Sequence, residues 1–214
     1  MKEILISNLQ PSFILDSDKP MSEVWFNKVS FQKGKNYLLS ASSGEGKTSL
    51  FAYLFGERKD FRGNIFFDLQ NISTFGDHEW NRVRRCALSY VFQDLRLFEG
   101  LTVMENINLK NCLTRHKKKD DIYFLLEQSG IANKANEHVK RLSLGQKQRI
   151  AIIRALCQPF DFLLLDEPFS HLDRENIAIM TGIIRKELSA RGAGLVLCSL
   201  GEEYGFEYQQ RFRL

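Results

Sequence analysis

The segment that most constrains this chain is one where a strand runs into a glycine- and serine-rich loop and straight on into a helix. Tyr37–Ser40 is apolar and β-type, Ala41-Ser42-Ser43-Gly44-Glu45-Gly46-Lys47-Thr48 follows, and a helical pattern runs from Lys47 to about Phe55. Between strand and helix this spacing approximates GxxxxGK[ST], a loop whose inward amides and helix N-terminus favour a phosphate chain. Ser42, Ser43, Gly44, Glu45, Gly46, Lys47, Thr48 and Ser49 are the candidate phosphate-binding residues. Lys47 is expected to reach the β- and γ-phosphates, and the Thr48 hydroxyl to ligate Mg2+. Ala41 stands where the pattern has its first glycine. A left-handed alanine costs about 1 kcal/mol or more, so the loop is expected to bend or to carry strain there.

Composition narrows the rest. With 214 residues, 43% hydrophobic and 26% charged, the chain reads as one globular domain able to bury a core without disulfides or metals. No charge-free stretch approaches the roughly 18 residues of a spanning helix, and Met1–Ile6 lacks the apolar region of a signal peptide. A soluble cytoplasmic protein is expected. The formal charge of +4, from 30 basic and 26 acidic side chains, is too mild to suggest nucleic acid as a partner. Lys117-Lys118-Lys119, followed at once by Asp120-Asp121, reads as a solvated helix start. Cys86, Cys112, Cys157 and Cys198 form no CxxC and sit near no histidine at ligand spacing. Buried, reduced thiols and no metal cluster are expected.

Short β-type runs at Glu3–Ser7, Val24–Phe31 and Tyr37–Ser40 are followed by two more at Asn64–Leu69 and Ala87–Phe92. The stretch from about Asp94 to Lys140 turns helical and polar, with Ile122, Leu125 and Leu126 at helical spacing and Gly130 as a stop. Ser143–Cys157 is a helix, Phe160–Leu165 a strand buried on both faces, Arg174–Ala190 a helix and Gly194–Ser199 another buried strand. Tyr208–Leu214 offers a last one. This alternation predicts an α/β fold with a mainly parallel sheet, into which a helical subdomain at about 94–158 is inserted.

Phe162-Leu163-Leu164-Leu165-Asp166-Glu167 places two carboxylates at the C-terminal end of an apolar strand, where ligands of open α/β sheets bind. Asp166 can hold Mg2+ directly or through water, and Glu167 can polarise an attacking water. Leu142-Ser143-Leu144-Gly145-Gln146 opens the next helix upstream. Ser143 with Gln146 makes a capping box, which alone accounts for both residues. The same geometry is also a second anion site, and two such helix termini in one domain suggest head-to-tail pairing of chains.

Taken together, these motifs resemble the ATP-binding subunit of an ABC transporter, in the family's order and over nearly the whole chain. Ala41–Thr48 is similar to the Walker A loop, Tyr90-Val91-Phe92-Gln93-Asp94 to the Q-loop and Leu142–Gln146 to the LSGGQ signature. Phe162–Asp166 is similar to Walker B with Glu167 as the catalytic glutamate, and Ser170-His171-Leu172-Asp173 to the D-loop. The resemblance implies a P-loop NTPase (RecA-like) core with an N-terminal antiparallel β-subdomain, forming a single ATP-binding domain over residues 1–214. It implies ATP and Mg2+ as ligands, with Thr48, Gln93 and Asp166 at the metal and Glu167 and Gln93 in catalysis. In the implied sandwich dimer, homomeric or with another ATP-binding subunit, Ser143, Gly145 and Gln146 bind the γ-phosphate held by the partner's Lys47. Gln93 would sense Mg2+ and report to an integral membrane permease, placing the chain on the cytoplasmic face of the membrane. Phe13 is the candidate for stacking on adenine, while Trp25 and Phe26 read as core.

The compact form and the stretch Phe92–Asn106 resemble cassettes encoded separately from their permease, such as lipoprotein-release, cell-division and macrolide-efflux ATPases. Leu95, Leu97, Phe98 and Leu101 either line a groove for a permease helix or simply pack the insertion. Three residues depart from the family pattern. They are Ala41, Leu144 at the signature's first glycine, and Leu200 where a switch histidine is usual. Leucine donates no hydrogen bond to a γ-phosphate, and losing such a donor costs about 10²–10³ in rate. His171 is expected to face the dimer interface rather than its own γ-phosphate. The leading function is thus an ATPase that energises a membrane transporter. The alternatives are a hydrolysis-impaired, nucleotide-gated clamp, as Leu200 allows, and an ABC-type ATPase acting outside transport.

Overall fold

A computed structural model describes residues 1–15, 21–41 and 46–214. In chain order the elements are β1 (Glu3–Pro11), β2 (Lys28–Gln32), β3 (Asn36–Ser40), α1 (Lys47–Leu54), β4 (Phe61–Phe67), β5 (Gln70–Asn71) and α2 (Asp77–Cys86). There follow β6 (Leu88–Val91), α3 (Val103–Asn111), α4 (Lys119–Gln128), α5 (Leu144–Leu156), β7 (Phe162–Asp166), α6 (Arg174–Arg191), β8 (Gly194–Ser199) and β9 (Gln210–Arg213).

Two sheets result. An antiparallel one has the order β2-β1-β4-β5, and a five-stranded one, parallel at every pairing, has the order β6-β7-β8-β3-β9. Apart from its exposed edge strand β9, the parallel sheet is buried on both faces because its strands alternate between two hydrophobic clusters. Leu163 and Leu165 of β7, Leu195 and Leu197 of β8 and Leu38 of β3 join the cluster under α3–α6. Phe162, Leu164, Val196, Cys198, Tyr37 and Leu39 point the other way, to the cluster shared with α1, α2 and the antiparallel sheet. Neighbouring C-terminal ends follow from the register, with Asp166 beside Cys198 and Ser40 beside Ser199. The end of β8 therefore lies between the end that carries Asp166 and the end that feeds the phosphate loop.

Several local expectations are corrected. The β-type run at Val24–Phe31 becomes a strand only from Lys28, because Ser22 caps the amides of Val24 and Trp25 and Phe26 turns at φ 62°. Trp25 is core, and Phe26 packs against it only partly buried. Helix α2 was not foreseen. Asp77 and Glu79 in its first turn, Arg84 and Arg85 in its last, and Trp80 with Val83 three apart are ordinary helix signals. Cys157 and Cys198 are buried, but Cys86 and Cys112 sit at helix ends and are exposed. Of the lysine run, Lys117 is not solvated, since it pairs with Glu187 of α6 under cover. Ala41 carries no left-handed strain, for its φ is not positive; Gly46, at φ 97°, takes that conformation instead.

Candidate active site

Every polar group of the site hangs from the C-terminal end of a parallel strand or the first turn of α1. Lys47, 6% exposed, donates to the carbonyl of Ala41 at 2.8 Å and lies 3.2 Å from Glu167 Oε1. Thr48 Oγ1 sits 2.9 Å from Asp166 Oδ2 and 3.2 Å from Gln93 Oε1, so the three predicted metal ligands converge. Asp166 is fully buried, and its second oxygen, Oδ1, has no hydrogen-bond partner. Burial holds its pKa above the usual carboxylate range, against the opposing hydrogen bonds of Thr48 and Tyr90.

A buried carboxylate with one uncompensated oxygen, whose other oxygen meets the Thr48 hydroxyl and through it the Gln93 carbonyl, is a hard donor set suited to Mg2+. Among the described residues no cluster of three His, Cys, Asp or Glu side chains could hold a metal alone. The fit is therefore to an ion that takes its remaining ligands from substrate phosphates and water. On the Thr48 side a cavity of about 410 Å3 opens, lined by Thr48, Tyr90, Phe92, Gln93, Asp94 and Arg96.

Glu167 turns at φ 46°, a left-handed conformation that costs a non-glycine residue about 1–2 kcal/mol. Its amide donates to Cys198 O at 3.0 Å and its carbonyl accepts from Gln148 Nε2 at 3.2 Å. Ser143 caps α5 as expected, exchanging bonds with Gln146. Among the described residues no hydrogen bond or ion pair joins Ser143, Gly145 or Gln146 to the Lys47–Asp166 cluster. Ser49 lies on α1 with its hydroxyl accepting from Arg58 at 2.9 Å. Phe13 is 47% exposed, with its ring edge against Gly46, beside the end of the phosphate loop. Ser42, Ser43, Gly44 and Glu45 lie outside the described residues.

Leu200 is 64% exposed just past β8, and His171 is exposed with Nδ1 2.9 Å from Ser170 Oγ. The four apolar residues after Gln93 divide. Leu95 is buried in the core and Leu97 packs against it, whereas Leu101 is half-buried and Phe98 stands 59% exposed.

A family profile described as ABC transporter matches residues 27–170, which include Lys47, Thr48, Gln93, Ser143, Asp166 and Glu167. The chain belongs to the ABC transporter family. This ABC cassette is 32% identical over 163 residues to the lipoprotein-releasing system ATP-binding protein LolD of Buchnera aphidicola subsp. Schizaphis graminum, covering 74% of this chain and 71% of that one. It is 29% identical over 189 residues to the ABC transporter ATP-binding protein YtrE of Bacillus subtilis, covering 87% and 82%. In fold it resembles the dimeric structure of MJ0796, a bacterial ABC transporter cassette. The TM-score is 0.79 at 22% identity, over 92% of this chain and 88% of that one.

Three contacts of the cassette had no role in the sequence reading. Tyr90 places its hydroxyl 3.3 Å from Asp166 Oδ2. Gln148 is buried on α5, and Arg154, two turns on, donates to the carbonyls of Leu95 and Arg96. Gln148 has a sequence signal, because it lies four residues before Ile152 and seven before Ala155 on the apolar stripe of its helix. Tyr90 has a weaker one, since a buried tyrosine hydroxyl requires a hydrogen-bond partner but the strand does not say which.

Proposed function

We propose that this chain is the ATP-hydrolysing subunit of a membrane transporter, working as a nucleotide-bridged dimer. The observation that carries the reading is the convergence of Thr48, Gln93 and Asp166, whose Oδ1 is buried without a partner, together with the Lys47–Glu167 pair. Residues 1–214 act as one ATP-binding unit, with the helical subdomain at about 94–158. Ser42, Ser43, Gly44, Glu45, Gly46 and Ser49 bind the phosphates together with the Lys47 ammonium, and Phe13 takes the adenine face. Thr48, Gln93 and Asp166 hold Mg2+, which when bound draws charge from the β- and γ-phosphates.

In this reading the γ-phosphate takes Lys47 away from Glu167. The freed carboxylate orients a water for in-line attack, giving ADP and phosphate. Ser143, Gly145 and Gln146 complete the site of a second copy or of another ATP-binding subunit. Gln93 senses Mg2+ and reports to a membrane permease on the cytoplasmic side, with the exposed Phe98 as a contact for that subunit. The relatives' names include a lipoprotein-releasing system, which makes a lipid-linked cargo the first to try.

Glu167→Gln should trap an ATP-dependent dimer, seen by light scattering at saturating Mg-ATP, and Lys47→Ala should abolish binding of a fluorescent ATP analogue. Undiminished affinity in the lysine variant would overturn the site. A glutamine variant that stays monomeric, alone and with its permease, would overturn the dimer. A second reading, a slow nucleotide-gated clamp, is favoured by one observation: Leu200 offers only an apolar side chain to the cavity it shares with Ser40 and Ala41.

A further inference from the structure

We propose that Gln148 is a positioning residue that holds Glu167 in its left-handed turn and ties it to the helix that begins at Ser143. This rests on the ATPase reading above.

The side chain of Gln148 is 1% exposed and all its hydrogen bonds go to one short segment. Its amide nitrogen donates to Glu167 O and to Ser170 Oγ, both at 3.2 Å, and its carbonyl accepts the His171 amide at 3.0 Å. A primary amide has two N–H donors and one good acceptor, so this set uses each of its functions. Glu167 needs such support because its φ of 46° is unfavourable for a residue with a Cβ. Its amide is fixed to Cys198 on β8 and its carbonyl to Gln148, so the peptide planes on both sides of the turn are pinned. The carboxylate is thereby aimed at Lys47, where it lies 3.2 Å from Nζ.

A second contact brings the same helix onto the same segment. A Cβ on Gly145 would fall 2.8 Å from His171 O, so the first turn of α5 rests directly on that backbone. The first two turns of α5 and residues 167–171 are thus joined by four contacts: three hydrogen bonds and one close backbone approach. Any displacement of the Ser143 end is felt at Glu167 through the glutamine, without passing through the nucleotide. Gln148 touches no reacting atom, and its effect on the chemistry is carried by the placement of Glu167.

The test compares the full chain with Gln148→Met, which keeps the length and removes all three hydrogen bonds. Gln148→Asn serves as a fold-preserving second variant, because it keeps a buried amide but draws it back by one methylene. Steady-state hydrolysis of Mg-ATP, affinity for a fluorescent ATP analogue and hydrogen exchange over 167–171 are measured on each. The expected result is a fall in kcat of about tenfold to a hundredfold, with KM and analogue affinity within twofold, as misplacement of a catalytic group produces. Exchange at the His171 amide should quicken while that in β7 stays slow. A kcat within twofold of the parent in both variants overturns the proposal. So does a joint loss of kcat and nucleotide affinity with faster exchange throughout, which marks general unfolding. If the parent chain binds ATP and turns none over, the ATPase reading fails, and exchange at His171 still decides whether Gln148 holds residues 167–171.

Discussion

Replacing Arg154 by methionine asks whether the loop after Gln93 is held by the helix beneath it or by its own backbone preference. Arg154 is 8% exposed on α5, and it donates Nη2 to Leu95 O and Nη1 to Arg96 O, each at 2.6 Å. Burial lowers its pKa to about 10, which leaves it cationic at neutral pH. The two residues it grips are both left-handed, at φ 60° and 45°. Hydrogen bonds to a charged group contribute about 1.5–3 kcal/mol each, so the pair holds the loop with about 3–6 kcal/mol. Once released, the loop recovers about 1–2 kcal/mol of backbone strain per residue. Methionine fills much of the same volume, so the cavity term is small. The net expected loss is about 2 kcal/mol in urea unfolding, or about 4–8 °C in Tm for a chain of this size. Arg154→Lys should recover about half, because an ammonium that reaches one carbonyl loses the planar fork that reaches both. A methionine variant within about 0.5 kcal/mol of the parent, at unchanged denaturant slope, would refute this account of the loop.

Three further outcomes follow from the geometry. Leu200→His should raise kcat while leaving nucleotide affinity nearly unchanged, because the added donor acts in the transition state; no gain would mean that another group already does that work. Tyr90→Phe removes one hydrogen bond from Asp166 and should raise the Mg2+ concentration needed for half-maximal nucleotide binding by about threefold to tenfold; an unchanged midpoint would refute it. A thiol reagent should label Cys86 and Cys112 in the folded chain and spare the other two. Cys157 is buried with its pKa pushed up to about 12, and Cys198 is shielded in the same way. Labelling of all four at equal rates would contradict the packing of β8.

What could be read in advance was what the chain states locally. The glycines before Lys47, the apolar run ending in Asp166 and the Ser143–Gln146 box each fix a backbone conformation within a few residues. Their elements appeared within one or two positions of expectation. Contacts between distant segments left no such trace. Nothing near Tyr90 indicates that register will set its hydroxyl against Asp166, 76 positions away. Nothing near Leu95 indicates that an arginine from α5 will hold its carbonyl. Phe26 shows the converse, where a β-type residue is bent out of its strand because the preceding turn is capped by Ser22. Cys86 and Cys112 sit at helix ends that reach the surface, whereas Cys157 ends a helix packed under cover, and their spacing along the chain does not tell the two cases apart.

The parallel sheet is also a partition. Leu50, Phe51, Tyr53 and Leu54, which root the helix of Lys47, lie wholly in one hydrophobic cluster, while Ile150, Ile152, Ile153 and Leu156, which root the helix of Ser143, lie wholly in the other. The two phosphate-type helix ends therefore have separate foundations on opposite sides of one wall. A methyl group lost from one side loosens its own helix and leaves the other seated, so damage stays in its compartment. Only the strands of the wall belong to both. Asp166 at the last position of β7 and Glu167 just after it, which bonds Gln148 on one side and Lys47 on the other, are thus where the two compartments share a fate.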